Sequence, residues 1–323
     1  MFQLINELKN INSLAIAGHV RPDGDCVGSC LGIYNYVRSN FPEIKVDVYL
    51  EEIPSTLLYI ENTDKIKHDY KSDTVYDLFI ALDSADKDRL GFSLKPFMAA
   101  KKTICIDHHI SNKGYADINL IESEAASTCE ILFYLLDYEK INKDVAVALY
   151  TGIAHDTGVF RFSSTTEKTM IAAGKLMSKG IPFSEIVNDS FYQKTYLQNQ
   201  ILGRALLESV MLFQNTCVFA AITKKEMDFY GVKSHDMDGI VNQLLVTEGV
   251  ECAIFIYEIG NHEYKASLRS KQYLDVSKVA SYFGGGGHIR AAGCTMVGTI
   301  YDVVNNLSKQ IEVQMMPREN KSV

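Results

Sequence analysis

The sequence predicts an α/β protein in which a parallel, doubly wound sheet is followed by a smaller α+β domain, with a helical linker between them. The first half of the chain alternates short apolar stretches with longer segments of helical periodicity, which is typical of βαβ units. Beyond residue 207 the apolar stretches come in pairs separated by short turns, which indicates adjacent strands. The predicted boundaries are 1–185 for the first domain, 186–206 for the linker and 207–323 for the second domain.

Strands of the first domain are predicted where short apolar runs end at polar residues, at 13–18, 44–50, 76–82 and 102–106. Helices are predicted where apolar residues recur with helical spacing. They cover 25–39, 124–138, 143–155, 165–179, 183–192 and 194–208. A Gly-Ile-Pro turn at 180–182 separates two of these helices.

The second domain is predicted to contain two pairs of strands, one broken at Gln214-Asn215 and one turning at Gly260-Asn261. After the second turn, polar and apolar residues alternate, so that Lys265, Ser267 and Arg269 share one face of a strand. A glycine-rich loop, a further strand and a final helix follow, at 284–287, near 293–298 and up to about 315.

Composition limits the class of protein. The chain has 323 residues, 47% of them hydrophobic, and a formal net charge of −8. No stretch approaches the ~18 apolar residues of a membrane span, and the N-terminus lacks the layout of a signal peptide, so we expect a cytoplasmic protein without a membrane partner. There is no run of Lys and Arg to neutralise many phosphates, which disfavours long nucleic acids as partners.

Cysteine and isolated histidine residues are expected to be structural. The seven cysteines form no CxxC pair and most lie in apolar runs, so we expect small buried side chains rather than a zinc–thiolate site or disulfides. His68, His235 and His262 stand alone among polar neighbours, and we expect them at the surface.

Acidic and imidazole side chains directly follow three predicted strands. The runs are HVRPDGD at 19–25, ALDSAD at 81–86 and IDHH at 106–109, and HDTGVF adds Asp156 at the end of an apolar helix. Ligands of open parallel sheets gather beyond the carboxyl ends of the strands. A lone Asp after a strand is more often a helix cap or turn residue, but three such strand ends predict one metal-binding crevice.

The candidate ligands are mainly carboxylates, with some imidazoles and no thiolate. Such a set suits Mn²⁺, Mg²⁺ or Fe²⁺ in octahedral sites better than a closed zinc site. One ion with open positions cannot use all of them. Two ions about 3.5–4 Å apart that share a carboxylate would do so, as in many enzymes that cleave phosphoesters.

A second group of residues is suited to phosphate. The run GGGGHIRAAG at 284–293 allows backbone N–H groups to approach an anion closely. Arg269 could bind a phosphate with two parallel hydrogen bonds. The alternative interpretation is that neither feature binds a ligand: the glycines would then form an ordinary turn, and Arg269 would be an exposed charge on a strand.

Taken in order, these runs resemble the motifs of the DHH phosphoesterase family, named for the triplet found here at Asp107-His108-His109. HVRPDGD, LDSAD, DHH and HDTG resemble the motifs of its N-terminal domain, and GGGGH resembles the signature of its DHH-associated C-terminal subdomain. The resemblance covers nearly the whole chain. Within the family, a two-domain chain of this length is similar to the oligoribonuclease (nanoRNase) and 3′-phosphoadenosine-5′-phosphate (pAp) phosphatase group.

The resemblance implies roles for particular residues. His19, Asp23 and Asp83 would hold one ion, usually Mn²⁺, with Mg²⁺ or another divalent ion as alternatives. A second ion would share Asp83, with the remaining ligands Asp25, His108 and Asp156. Catalytic roles are implied for Asp83 and for all three residues of the DHH triplet: His109 would help to position the scissile phosphate and Asp107 would orient a ligand. Substrate-binding roles are implied for Ser127, Arg269, Gly286, Gly287 and His288, and His155 would support the ligands.

The activity implied by the resemblance is hydrolysis of very short nucleotides, such as pAp, pApA and RNA of two to five nucleotides, by in-line attack of a hydroxide bridging two ions. Two alternatives remain. The substrate could be cyclic di-AMP or its linear product pApA, or the chain could bind nucleotides without turning them over. A homodimer is expected by analogy alone.

Overall fold

The computed structural model describes residues 3–71 and 74–315. The chain divides into two compact units, Met1–Gln193 and Lys194–Val323, which are described separately below. This division lies inside the segment 186–206 that the sequence assigns to a linker, and the three-part boundaries stay a prediction.

The first unit contains a six-stranded parallel sheet in the order β3-β2-β1-β4-β5-β6. Its strands are β1 (Ser13–Ala17), β2 (Lys45–Tyr49), β3 (Ile66–Lys67), β4 (Leu78–Leu82), β5 (Thr103–Asp107) and β6 (Ile118–Ile121). The order reverses between β1 and β4. In doubly wound sheets this switch point is where ligands bind, beyond the carboxyl ends of the strands.

Helices pack on both faces of this sheet. They are α1 (Leu4–Leu8), α2 (Gly24–Asn40), α3 (Leu94–Ala99), α4 (Thr128–Leu135), α5 (Lys143–Asp156), α6 (Glu167–Met177) and α7 (Phe183–Val187), and α7 continues into a π-helical turn at Asn188–Tyr192. Every residue of β4 is buried, because one core packs against Ile80 and another against Phe79. Burying side chains of this size contributes about 1.5–3 kcal/mol each, which fixes the strand ends firmly.

The second unit contains a mixed six-stranded sheet in the order β11-β12-β10-β9-β8-β7. Its strands are β7 (Val210–Leu212), β8 (Cys217–Ile222), β9 (Cys252–Gly260), β10 (Glu263–Ser270), β11 (Gly286–His288) and β12 (Ala291–Val297). Its helices are α8 (Tyr196–Leu207), α9 (Lys224–Tyr230), α10 (Ile240–Leu245), α11 (Val276–Tyr282) and α12 (Ile300–Met315). Two cores lie on opposite faces of the sheet, one with α11 and α12 and one with α8, α9 and α10.

These observations confirm the predicted fold class. The expected alternation along β10 is confirmed as well, since Ala266 and Leu268 are buried and Lys265 is exposed. The helix expected at 124–138 is shorter, because Ser127 caps the first turn of α4 and its last residue is Leu135.

Further expectations about exposure are confirmed. All seven cysteines are buried free thiols, and His68, His235 and His262 are exposed. Within residues 3–71 and 74–315, no helix has both the length and the apolar character needed to cross a membrane.

Candidate functional site

The turn after β1 presents His19 and Asp23. Asp23 caps α2 by accepting hydrogen bonds from the N–H groups of Asp25 and Cys26. His19 donates from Nδ1 to the carbonyl of Val20 (2.9 Å), which leaves Nε2 3.6 Å from Asp23 Oδ2 and 3.5 Å from Asp83 Oδ2. The imidazole thus links the end of β1 to the end of β4.

Asp83 lies at the centre of the cluster. It directly follows β4, is 1% exposed and adopts a left-handed backbone with φ of 53°. Such a conformation in a non-glycine residue is uncommon and persists where the surrounding structure enforces it. Its Oδ1 lies 3.6 Å from His108 Nε2 and 3.7 Å from His109 Nδ1, on the side opposite His19.

The DHH triplet ends β5 and begins the next loop. Asp107 is fully buried and accepts hydrogen bonds from His109 Nδ1 (2.7 Å) and Asn112 Nδ2 (2.7 Å). The Asp107 carboxylate therefore sets the tautomer and orientation of His109. His108 Nε2, which also faces Asp83, lies 3.1 Å from Asp156 Oδ2.

Asp25 is held by the N-terminus of α4. Its two carboxylate oxygens accept from the backbone N–H groups of Thr128 (2.6 Å) and Cys129 (3.0 Å). The Thr128 hydroxyl also donates to Asp83 Oδ1 (3.2 Å). Sequence reasoning missed this role of Thr128, because a Ser-Thr pair at a helix start signals only a cap.

Close packing around α5 brings Asp156 to the same place. A Cβ added to Gly152 would lie 2.6 Å from Asp25 Oδ1, and one added to Gly24 would lie 2.3 Å from the ring of His155. His155 Nε2 donates to Ser190 Oγ (2.9 Å), whose own hydrogen goes to the carbonyl of Ile186. Two glycines therefore permit an approach of α4, α5 and the Asp23–Asp25 turn that no side chain would allow.

The charges of the cluster are unbalanced. Burial and the neighbouring charge of Asp83 raise the pKa of Asp25 to about 7, and burial raises the pKa of Asp156 to about 6. Burial also raises the pKa of Asp83. Within the described residues, no Lys or Arg lies within 4.0 Å of these carboxylates. Buried carboxylates whose close basic partners are imidazoles, which can give up their protons, are an environment that divalent cations neutralise.

The same excess of negative charge raises the pKa values of two histidines in the cluster. Burial disfavours the charged form of His19 and His108, but the adjacent carboxylates outweigh it and raise their pKa values to about 12 and about 10. Both rings would release a proton on binding a cation. The Asp107 hydrogen bond likewise raises the pKa of His109.

Three sets of side chains place their ligand atoms within 4.8 Å of one another and could each hold an ion: His19, Cys26 and Asp83; Asp83, His108 and His109; and Asp25, His108 and Asp156. These sets include five of the six candidate ligands that the sequence indicated. The sixth, Asp23, belongs to none of them and reaches the cluster through its contact of 3.6 Å with His19 Nε2. Cys26 is an addition to that inventory, although burial holds the pKa of its thiol well above the usual range.

The predicted substrate residues have different surroundings. Ser127 is fully buried, and its hydroxyl oxygen accepts from the Glu130 N–H as the cap of α4 (3.0 Å). Its role toward substrate stays a prediction.

The other predicted substrate residues lie in the second unit. There Arg269 donates from Nε to Asn242 Oδ1 (3.0 Å) and from Nη1 to the carbonyl of Leu268 (3.0 Å). Gly286, Gly287 and His288 form β11, and the side chain of His288 lies outside what the structure describes.

A second arginine, Arg290, follows β11 and bonds to the backbone. Its guanidinium donates to the carbonyls of Leu274 (2.7 Å) and Gln272, so it ties the loop after β10 to the turn after β11.

Comparison with known proteins identifies the class. Residues 13–153 match the model of the DHH family, N-terminal domain, and residues 215–315 match that of the DHHA1 domain. The chain belongs to the DHH phosphoesterase family, and the resemblance seen in the motifs is confirmed.

Individual relatives are similar over most of the chain. A probable bifunctional oligoribonuclease and PAP phosphatase NrnA from Streptococcus mutans is 28% identical over 95% of this chain and 98% of its own length. The bifunctional oligoribonuclease and PAP phosphatase NrnA of Bacillus subtilis is 28% identical over 91% of this chain and 92% of its own length. The crystal structure of an exopolyphosphatase-related protein from Bacteroides fragilis, 24% identical, superposes with a TM-score of 0.87 over 97% of this chain and 96% of that chain, which shows the same fold.

Proposed function

We propose that this protein is a divalent-metal-dependent hydrolase of short oligoribonucleotides and of pAp. The observation that carries the proposal is the position of Asp83, a buried carboxylate 3.5 Å from His19 and 3.6 Å from His108. A single carboxylate between two groups of ligands is the arrangement that two ions share in phosphoester hydrolases.

The residues of the chain divide into two ligand groups. His19, Asp23 and Asp83 would hold one ion, and Asp25, Asp83, His108 and Asp156 the other, with Mn²⁺ as the preferred metal. Bound divalent ions would supply an activated water and neutralise charge on the phosphoryl oxygens. Asp107 keeps His109 in one tautomer beside Asp83, where its ring can donate to an oxygen of the scissile phosphate.

The proposed substrate class is supported by the charge of the chain and by the names of its relatives. The net charge of −8 and the absence of a run of basic residues disfavour long nucleic acids, whereas a few local cations suffice for a short substrate. The relatives from Streptococcus mutans and Bacillus subtilis carry the name of an oligoribonuclease and PAP phosphatase. Arg269, with Gly286, Gly287 and His288, is proposed to bind the substrate phosphate.

The test replaces the shared carboxylate. Asp83→Asn keeps the size of the side chain and removes its charge, while Asp88→Asn, at an exposed position five residues later, serves as the matched control. With Mn²⁺ present, the release of mononucleotide from pApA and of phosphate from pAp should fall at least ~10³-fold in the first variant only, because several kcal/mol of transition-state stabilisation are lost.

A substrate panel separates the remaining candidates. Wild-type rates on pAp, pApA, short RNA, cyclic di-AMP and pyrophosphate, each with Mn²⁺ or Mg²⁺, would rank the substrates directly. Near-normal turnover by Asp83→Asn would refute the site. Fastest turnover of cyclic di-AMP would replace the proposed substrate, and binding without turnover would replace the proposed activity.

A further inference from the structure

One face of the second sheet carries cations and small side chains where it extends from β10 to β11. Residues directly opposite one another on antiparallel strands share a face. Here three residues of β10 lie opposite three of β12, in the pairs Lys265–Thr295, Ser267–Gly293 and Arg269–Ala291. Gly293 in turn lies opposite Gly286 of β11. On the β9 side of the same face, Lys265 and Ser267 lie opposite Tyr257 and Phe255, which belong to the core with α10. Toward β12 and β11 the opposing residues are small, which leaves that side of the face available to a ligand.

The reverse face of the same strands is closed. There Ala266 and Leu268 pack with Ala292 and Cys294 into the core beneath α11 and α12. The two faces of β10 therefore have different functions. One contributes to the stability of the unit, and the other presents side chains that the core does not use.

Three cations of this unit lie in the neighbourhood of a single carboxylate. Asp238 lies within electrostatic reach of Lys194, Lys265 and Arg269, while the nearby His235 and Asp236 form a separate pair at 3.6 Å. Among the residues that the structure describes, none of the three cations lies within 4.0 Å of a carboxylate oxygen. The cluster thus keeps an excess of positive charge on a chain whose net charge is −8.

The cations differ in how firmly they are held. Asn242 fixes Arg269 through its Nε, as described above, whereas the Lys265 ammonium lies 5.9 Å from the centre of the Tyr257 ring. The two residues are four apart on one strand, which separates their Cα atoms by about 13 Å. Arg269 and Lys265 therefore offer an anion two separated contact points, of which Arg269 is the more firmly held.

We propose that Lys265, with Lys194, extends the phosphate site of Arg269 into a surface that binds additional phosphates of the same substrate. This inference rests on the proposed function. It identifies the preferred substrates as nucleotides that carry several phosphates, and it assigns Lys265 to the discrimination of substrate length. The small residues Ser267 and Gly293 leave space between the cations for the sugar that joins two phosphates.

The test compares Lys265→Ala with Lys309→Ala, which removes the same charge from an exposed position on α12, beyond the closed face. For each variant, kcat/KM is measured with Mn²⁺ on pApApA and on bis(p-nitrophenyl) phosphate, which has one phosphate. The ratio of the two values should fall about tenfold in Lys265→Ala, mainly through KM, because one charge-assisted contact is lost. Lys265→Arg should restore it, and Lys309→Ala should keep the wild-type ratio.

Salt dependence provides a second measurement. The slope of log(kcat/KM) for pApApA against log[salt] should become shallower by about 0.7 in Lys265→Ala, as expected for one lost phosphate contact. If the ratio and the slope are the same in Lys265→Ala and Lys309→Ala, the inference is wrong while the proposed activity stands. If wild-type protein hydrolyses neither substrate, the proposed function itself fails.

Discussion

Gly152 is the position where packing and the candidate metal site can be perturbed together. In Gly152→Ala the new methyl would lie 2.3 Å from Cys129 Sγ and 2.6 Å from Asp25 Oδ1, so α4 and α5 must separate. Overpacking of this kind costs about 1–3 kcal/mol, and separation would also weaken the two N–H bonds that α4 makes to Asp25. The higher helix propensity of alanine offsets about 1 kcal/mol of this cost.

Overpacking of about 2 kcal/mol, less about 1 kcal/mol for helix propensity, leaves about 1 kcal/mol, to which weakening of the N–H bonds adds up to about 1 kcal/mol. We therefore expect Gly152→Ala to lose about 1–2 kcal/mol of unfolding free energy in urea denaturation, and to bind Mn²⁺ more weakly in calorimetric titration. Gly174→Ala is the control, because Gly174 lies in α6 and nothing lies within 4 Å of its added Cβ. That variant should gain about 0.4–1 kcal/mol and bind Mn²⁺ normally. The reasoning is refuted if Gly152→Ala matches Gly174→Ala in stability and retains wild-type Mn²⁺ affinity.

Two further predictions concern single hydrogen-bond partners. Thr128→Val should lower kcat for pApA about tenfold, because the Asp83 carboxylate loses a hydroxyl donor, whereas Thr128→Ser should retain most activity; equal rates in the two variants would exclude this positioning role. Asp77 accepts from Lys101 (2.7 Å) and from the backbone of Asn12 (2.9 Å), and these bonds lower its pKa to about 2. Its stabilisation is therefore present above about pH 4 and is lost as the pH falls toward 2. Asp77→Asn should cost about 1 kcal/mol at pH 7, since solvent screens the Lys101 pair, and should flatten the loss of stability below pH 4. An unchanged pH profile in urea denaturation would contradict this.

The sequence identified the parts of the first unit that have strong local signals. The strands before His19, Asp83 and Asp107 are buried on both faces, so they appear as continuous apolar runs that end abruptly at polar residues. Strand β6 was missed because its residues, Ile118–Ile121, are only partly buried and alternate weakly. In the second unit, α9, α10 and α11 have six or seven residues each, which is too short for helical periodicity to stand out.

Residues that support the ligands could not be found from the sequence alone. Thr128 and Asn112 act through contacts across 45 and 5 residues of chain, and no local pattern specifies either acceptor. Ser190 contacts His155 from a π-helical turn, a rare conformation that apolar spacing does not reveal. The sequence alone indicated the type of each ligand and the strand that it follows. Which hydrogen-bond donor reaches which carboxylate oxygen depends on the three-dimensional fold, and only the structure shows it.

The strand order explains why Asp83, rather than another carboxylate, lies close to both groups of candidate ligands. In the sheet β4 lies between β1 and β5, and neighbouring strands are about 4.8 Å apart. A side chain that follows β4 can therefore reach the ligands that follow β1 and those that follow β5. A side chain that follows β1 is separated from the ligands after β5 by β4, and the same holds in reverse. The distances from Asp83 to His19 and His108, 3.5 and 3.6 Å, are nearly equal, as this position requires. The left-handed backbone at Asp83 turns the chain at the point where its carboxylate meets both groups, so the strain falls on the residue whose placement the proposed chemistry most needs.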